Sequence, residues 1–206
     1  MFRLILRRNN YSDCLLVFSQ DKHIETVKYN MDKYLNLKKS GFTIVLGGQR
    51  SGKSLFAENL VEKVGGGFYI ATSESHDNEM ASRILIHQER RGELWQTIEE
   101  PVLLNDTLLS LKGRKKPALV DCLTLWLTNI ILLNKDVEKE VDDLCSLAVN
   151  LDFPVVFVSN EVGQGIIPDN SLAREFIDWS GRMNQKLADV SDNVIFVTAG
   201  IPHIIK

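Results

Sequence analysis

Residues Gly47-Gly48-Gln49-Arg50-Ser51-Gly52-Lys53-Ser54 satisfy the pattern G-x-x-x-x-G-K-[ST], and no other stretch constrains the fold of this chain as strongly. The preceding Phe42-Thr43-Ile44-Val45-Leu46 is an apolar, β-branched run suited to a buried strand, and the following Leu55–Val61 suits a helix. Strand, glycine-rich loop and helix thus arrive in the order a phosphate-binding loop needs. Glycine lets backbone N–H groups turn inward around phosphate oxygens, and the helix N-terminus adds partial positive charge at the same spot. Lys53 is expected to reach the β- and γ-phosphates as a point charge, and the Ser54 hydroxyl to ligate Mg²⁺. The pattern arises by chance in about 1% of chains of this length, so a nucleotide-phosphate site is the premise for the rest.

Around this loop the chain alternates between short apolar runs and helical patterns. Phe68–Ala71, Ala118–Asp121, Pro154–Ser159 and Val194–Val197 read as further buried strands, with helices expected over 77–92, ending near Thr107–Leu111, and over 123–133, 137–150 and 171–190. Five strands separated by helices predict an α/β domain with a mostly parallel, doubly wound sheet flanked by helices. Ligands gather at the carboxyl ends of such strands, which makes Thr72, Ser73 and Glu74 candidates to line the nucleotide pocket. Asp121 closes an apolar strand, the position of a Walker-B carboxylate that orients Mg²⁺ with Ser54. Asn160–Pro168, a polar loop with two glycines at a strand end, suits a substrate-facing segment.

The helix expected over 77–92 places Arg83, His87 and Arg91 at i, i+4 and i+8, with Arg90 beside them. A charged helical face is most often a solvated one. The functional alternative has arginines holding a phosphate chain while a neutral His87 attacks it, a protonation state that neighbouring positive charge favours.

Composition matters chiefly for what it excludes. Residues 1–40 carry eight Lys and Arg against four Asp and Glu, and the remainder carries sixteen against twenty-three. The acidic remainder argues against a nucleic-acid partner. Residues 1–40 precede the P-loop strand as an extension of unknown role, with 41–206 as the P-loop domain; strand-like runs at Leu4–Leu6 and Cys14–Phe18, a turn at Asn9-Asn10 and a weak helical pattern over 21–37 are expected in the extension. Cys14, Cys122 and Cys145 have neither an even count nor metal-ligand spacing, and Met1–Arg8 lacks the apolar core of a secretory leader. Ala118–Leu133 is interrupted by Asp121 and Asn129 and is short for a membrane span. A cytoplasmic protein with reduced thiols is the expectation.

Taken together, these residues resemble one family, the bifunctional adenosylcobinamide kinase/adenosylcobinamide-phosphate guanylyltransferases of cobalamin biosynthesis. The resemblance runs collinearly over about residues 42–206: the P-loop with its inner Arg50 and Ser51, Tyr69–Ser73, Asp77–Met80 leading to Arg83-Ile84 and His87, Trp95–Glu99, Asp121–Asn129, Asn160–Pro168 and Gly181–Gln185. It implies a RecA-like P-loop fold, a homotrimer and two reactions. In the first, ATP or GTP phosphorylates the hydroxyl of adenosylcobinamide. In the second, GMP passes from GTP to that phosphate through a guanylylated histidine, and pyrophosphate leaves. His87 falls at that histidine, and Arg90, Arg91 and Glu99 fall where the family contacts guanine nucleotide. Two rivals remain from the residues themselves: a P-loop kinase of another small molecule with His87 as a bystander, and a GTP-binding regulatory subunit without chemistry.

Overall fold

In the computed structural model of this protein, which describes residues 15–20, 23–28, 37, 41–73 and 92–206, the contacts divide the chain into two units, 1–36 and 37–206. Within the first, β1 (Leu15–Gln20) and β2 (His23–Lys28) pair antiparallel, Leu15 opposite Lys28 and Gln20 opposite His23. The helical pattern expected over 21–37 is therefore wrong for residues 23–28. Ile24 and Val27 are three residues apart, which imitates a helical face, but Ile24, Thr26 and Val27 are β-branched and favour the extended backbone whose N–H and C=O groups pair across the ladder. The run expected at Leu4–Leu6, the turn expected at Asn9-Asn10, and residues 21–22 and 29–36 of the helical pattern lie outside the described residues.

In the second unit strands and helices follow as β3 (Gly41–Gly47), α1 (Lys53–Glu62), β4 (Gly67–Ala71), β5 (Trp95–Glu99), α2 (Leu104–Ser110), β6 (Ala118–Asp121), α3 (Leu123–Leu132), α4 (Val137–Ala148), β7 (Pro154–Asn160), α5 (Ser171–Val190), β8 (Asn193–Thr198) and β9 (Ile201–Ile204). The sheet order is β5-β4-β6-β7-β3-β8-β9, parallel throughout except for β9, which runs antiparallel to β8. The connection from β3 to β4 passes β7 and β6 in one direction, while β6 to β7 and β7 to β8 run back the other way. Right-handed crossovers then put α1 on one face of the sheet and α3, α4 and α5 on the other. This is the RecA-like P-loop fold, with β7 standing between the P-loop strand and the strand that ends in Asp121.

Covering both faces explains why the central strands read as continuous apolar runs. Ile44, Val45, Leu119, Val120, Val155, Val156, Phe157 and Val158 are fully buried, and Phe42 meets Phe157 edge to face with centroids 5.5 Å apart. Burial of such side chains contributes about 1.5–3 kcal/mol each relative to exposure. α3 is buried nearly all round, with Leu123, Trp126, Leu127, Ile130 and Ile131 in the core, so it is an interior helix of the domain. Asp136 caps α4 by accepting from the Lys139 N–H at 3.1 Å, and Val137, Val141, Leu144 and Ala148 form its one apolar stripe. Asn170 caps α5 by accepting from the Ala173 N–H at 3.0 Å.

Two edge strands exceed the five expected. In β5 only Trp95 is buried, while Gln96, Thr97 and Glu99 are exposed, so the apolar signal that marks interior strands is missing. β9 contains Pro202, which an edge strand tolerates because one side of its ladder is unpaired. Ala199 and Gly200, at φ 51° and 79°, form the tight turn that folds β9 back on β8.

Candidate active site

The strand ends assemble the site. Gly47 of β3 pairs with Asn160 of β7 and Val197 of β8, Asp121 of β6 pairs with Val158 and Ala71, and Ala71 pairs in turn with Glu99. The P-loop, Asp121 and Glu99 therefore leave the same carboxyl edge of the sheet, the edge at which open α/β sheets bind ligands.

Within the loop, the backbone dictates the sequence. Gly52 at φ 94° directly precedes α1, and a side chain there would be strained and would press on Gly200 Cα at 3.2 Å. A Cβ on Gly47 would come within 2.5 Å of the Val197 carbonyl and 2.6 Å of Ser51 Oγ. The Ala199-Gly200 turn holds the loop from outside, its Gly200 N–H donating to the Ser51 carbonyl at 2.7 Å. Lys53 opens α1, is nearly buried, and donates through Nζ to the Gly48 carbonyl at 3.4 Å, across the loop it is expected to serve.

Ser54 Oγ donates to Asp121 Oδ1 at 3.3 Å, which brings together the two residues expected to orient Mg²⁺. Their chemistry suits that ion: two hard oxygens, with a spacing close to the roughly 3 Å between adjacent ligands of an octahedral Mg²⁺. Among the described residues no group of three or more His, Cys, Asp and Glu could hold a metal.

Thr72 is fully buried and faces β6, its hydroxyl donating to the Cys122 carbonyl at 2.7 Å and accepting from the Cys122 N–H at 2.8 Å. Ser73 is half-buried just beyond β4, and Glu99 is exposed at the end of β5. Glu74, His87, Arg90 and Arg91, with Arg83, lie outside the described residues. Burial, reinforced by the Asp121 charge, pushes the Cys122 thiol up to about 11, partly opposed by a backbone hydrogen bond and by Lys53.

Several contributors escaped the sequence reading. Tyr69 donates its hydroxyl to Asp121 Oδ2 at 2.6 Å, which its place in an apolar strand signals only through the rule that a buried phenol needs a partner. The start of the loop expected to face substrate is fixed by Thr124, whose hydroxyl accepts from the Asn160 N–H at 2.7 Å, and by Asn184, which donates to the Asn160 carbonyl at 3.2 Å and accepts from Ser159 Oγ at 2.8 Å. Beside the P-loop lies a cavity of about 430 Å³ lined by Gly48–Ser51, Glu161, Gln164, the end of β8 from Phe196 to Thr198, and Ala199 of the following turn.

Comparison with known proteins agrees with this geometry. The family described as cobinamide kinase / cobinamide phosphate guanyltransferase (CobU) matches residues 43–205. A Pseudomonas aeruginosa protein described as the bifunctional adenosylcobalamin biosynthesis protein CobP is 40% identical over 166 residues, spanning 79% of this chain and 96% of its own length. The Escherichia coli K12 protein described as the bifunctional adenosylcobalamin biosynthesis protein CobU is 35% identical over 178 residues, with 79% and 98% covered. A solved structure from Pyrococcus horikoshii OT3 shares the fold, with a TM-score of 0.50 at 12% identity over 85% of this chain and 90% of that one. A match that spans the P-loop, Asp121 and every strand from β4 to β9 places this chain in the cobinamide kinase / cobinamide phosphate guanyltransferase family.

Proposed function

We propose that this site phosphorylates adenosylcobinamide with ATP or GTP and then transfers GMP from GTP to the resulting phosphate, yielding adenosyl-GDP-cobinamide and pyrophosphate. The observation that carries the kinase half is the convergence of Lys53, Ser54 and Asp121 at one carboxyl edge in a chain of this family. Backbone amides of residues 47–54 and the Lys53 ammonium cradle the phosphates and neutralise charge that grows during transfer. Ser54 and Asp121 would hold Mg²⁺, which would act as a Lewis acid and withdraw charge from the phosphate being transferred. Burial of Lys53 reduces competition from water for that interaction.

For the second half the nucleophile is His87. Its imidazole nitrogen forms a bond to the α-phosphorus of GTP while the bond to the pyrophosphate oxygen breaks. An oxygen of adenosylcobinamide phosphate then attacks the same phosphorus, and the P–N bond breaks to return the histidine. Arg90 and Arg91 balance charge on the transferred group, and Glu99 contacts the guanine nucleotide. His87→Asn tests this reading: uptake of α-labelled GTP and formation of GDP-cobinamide should both be lost while phosphorylation persists. Label retained at the wild-type rate, or mapping to Lys53, overturns it; phosphorylation alone in the wild type identifies a simple kinase, and neither product a regulatory subunit.

The reading extends to a cytoplasmic homotrimer in which residues 41–206 carry both reactions and residues 1–40 are an appendage. No helix among the described residues is long and apolar enough to cross a membrane. Support for assembly comes from exposed apolar surface: Leu132 and Leu133 at the end of α3, Leu172 on α5, and Ile166 and Ile167 after β7, the last two 95% and 79% exposed. Only monomer by light scattering at micromolar concentration contradicts the trimer.

A further inference from the structure

We propose that the Tyr69 hydroxyl is a positioning group for Asp121, holding the carboxylate so that its other oxygen stays turned toward Ser54. The proposal rests on the phosphoryl-transfer reading of the site and assigns to it a residue outside the P-loop and the Walker-B strand.

Strand register makes the contact possible. β4 and β6 run parallel with Tyr69 beside Leu119 and Ala71 beside Asp121, so Tyr69 starts two residues below the carboxylate. Two residues of strand rise about 6.6 Å. That is close to the reach of a tyrosine from Cα to hydroxyl, so a ring leaning along the strand delivers its oxygen to the level of Asp121. The observed separation is 2.6 Å to Oδ2, while Oδ1 accepts from Ser54 at 3.3 Å. Both carboxylate oxygens are therefore held by hydroxyl donors from different elements, β4 and α1, which opposes rotation of the carboxylate.

The phenol is itself immobilised. Tyr69 is 1% exposed, and its ring meets Trp95 of β5 edge to face with centroids 5.4 Å apart. Trp95 in turn donates its indole N–H to Glu62 Oε1 at 2.9 Å, in the last turn of α1. A chain of contacts thus runs from the end of α1 through two aromatic rings to the carboxylate opposite the start of α1. A phenylalanine would preserve the ring contact with Trp95 and lose the hydrogen bond to Asp121. Because binding a cation requires a carboxylate in one orientation, a carboxylate already held there surrenders less freedom on binding.

The test uses the full chain and Mn²⁺ as a paramagnetic stand-in for Mg²⁺, titrated by electron paramagnetic resonance with adenosine 5′-(β,γ-imido)triphosphate bound. Tyr69→Phe should weaken Mn²⁺ binding about 10-fold with the fold intact by circular dichroism. Its kinase activity should fall at limiting Mg²⁺ and recover at excess. In an Asp121→Asn background the same Tyr69 substitution should add nothing, since the hydroxyl acts through the carboxylate. Wild-type Mn²⁺ affinity in a folded Tyr69→Phe protein overturns the proposal, as does an equal further loss in the Asp121→Asn background. Should the single variant not fold, 3-fluorotyrosine incorporation, which makes the phenol a stronger donor, must shift Mn²⁺ affinity for the proposal to stand. Absence of nucleotide-dependent Mn²⁺ binding in the wild type would instead sink the phosphoryl-transfer reading itself.

Discussion

Asn129, a buried amide in the mostly apolar helix α3, donates through Nδ2 to the Thr72 carbonyl at 3.0 Å. The same nitrogen reaches the Pro101 carbonyl at 2.9 Å. One side chain therefore ties the point where the chain leaves β4 to the point where it returns after β5, and the intervening residues include His87, Arg90 and Arg91. Asn129→Leu leaves both carbonyls without this donor. We expect a loss of stability of about 2–3 kcal/mol, the usual cost of stranding buried acceptors, read as a lower urea midpoint at unchanged slope. A midpoint equal to wild type would show that water replaces the amide without penalty.

In the proposed function Lys53 serves charge neutralisation rather than packing. It sits in the first turn of α1 with its ammonium directed at the Gly48 carbonyl. Lys53→Ala should lower kinase turnover at least about 100-fold, the scale on which a preorganised electrostatic contact acts. Turnover within a few-fold of wild type would remove the P-loop from the mechanism.

The buried thiol of Cys122 gives a pH dependence of definite sign. In the unfolded chain it ionises near 9.0, and in the folded protein burial and Asp121 raise it to about 11. Below pH 9 the thiol is protonated in both states and its contribution to stability is constant. Between 9 and 11 the unfolded state loses the proton that the folded state keeps, so stability declines as pH rises through this window. Wild type should therefore lose more stability than Cys122→Ala between pH 8 and pH 10.5 in urea denaturation, and native Cys122 should resist iodoacetamide at pH 8. Parallel pH profiles for the two proteins would mean that the folded site accepts the thiolate.

The elements legible in sequence share one property: their signal is local. The P-loop announces itself because glycine is needed where the backbone adopts φ 94° at Gly52 and where Gly47 lies against the Val197 carbonyl. Interior strands such as Val155–Val158 read clearly because burial on both faces demands unbroken apolar runs. Trp95–Glu99 and Ile201–Ile204 were not legible, since an edge strand with one solvated side needs no such run, and β2 was misread because Ile24 and Val27 satisfy helical and extended patterns alike.

What the sequence alone determined was the chemistry on offer: a phosphate loop, a lysine, a hydroxyl, a strand-ending carboxylate, and a histidine among arginines whose family resemblance names their task. What only the tertiary structure decided was which of these meet. Ser54 and Asp121 are 67 residues apart in the chain and Tyr69 and Asp121 are 52 apart, yet the β4–β6 register and the packing of α1 against β6 bring both hydroxyls within hydrogen-bonding reach of the carboxylate. Thr72, by contrast, reads as a pocket residue but spends its hydroxyl on the backbone of Cys122. A side chain's identity fixes what it can donate or accept, while the partner it finds depends on strand order and register, which are set by burying the whole sheet and not by any one segment.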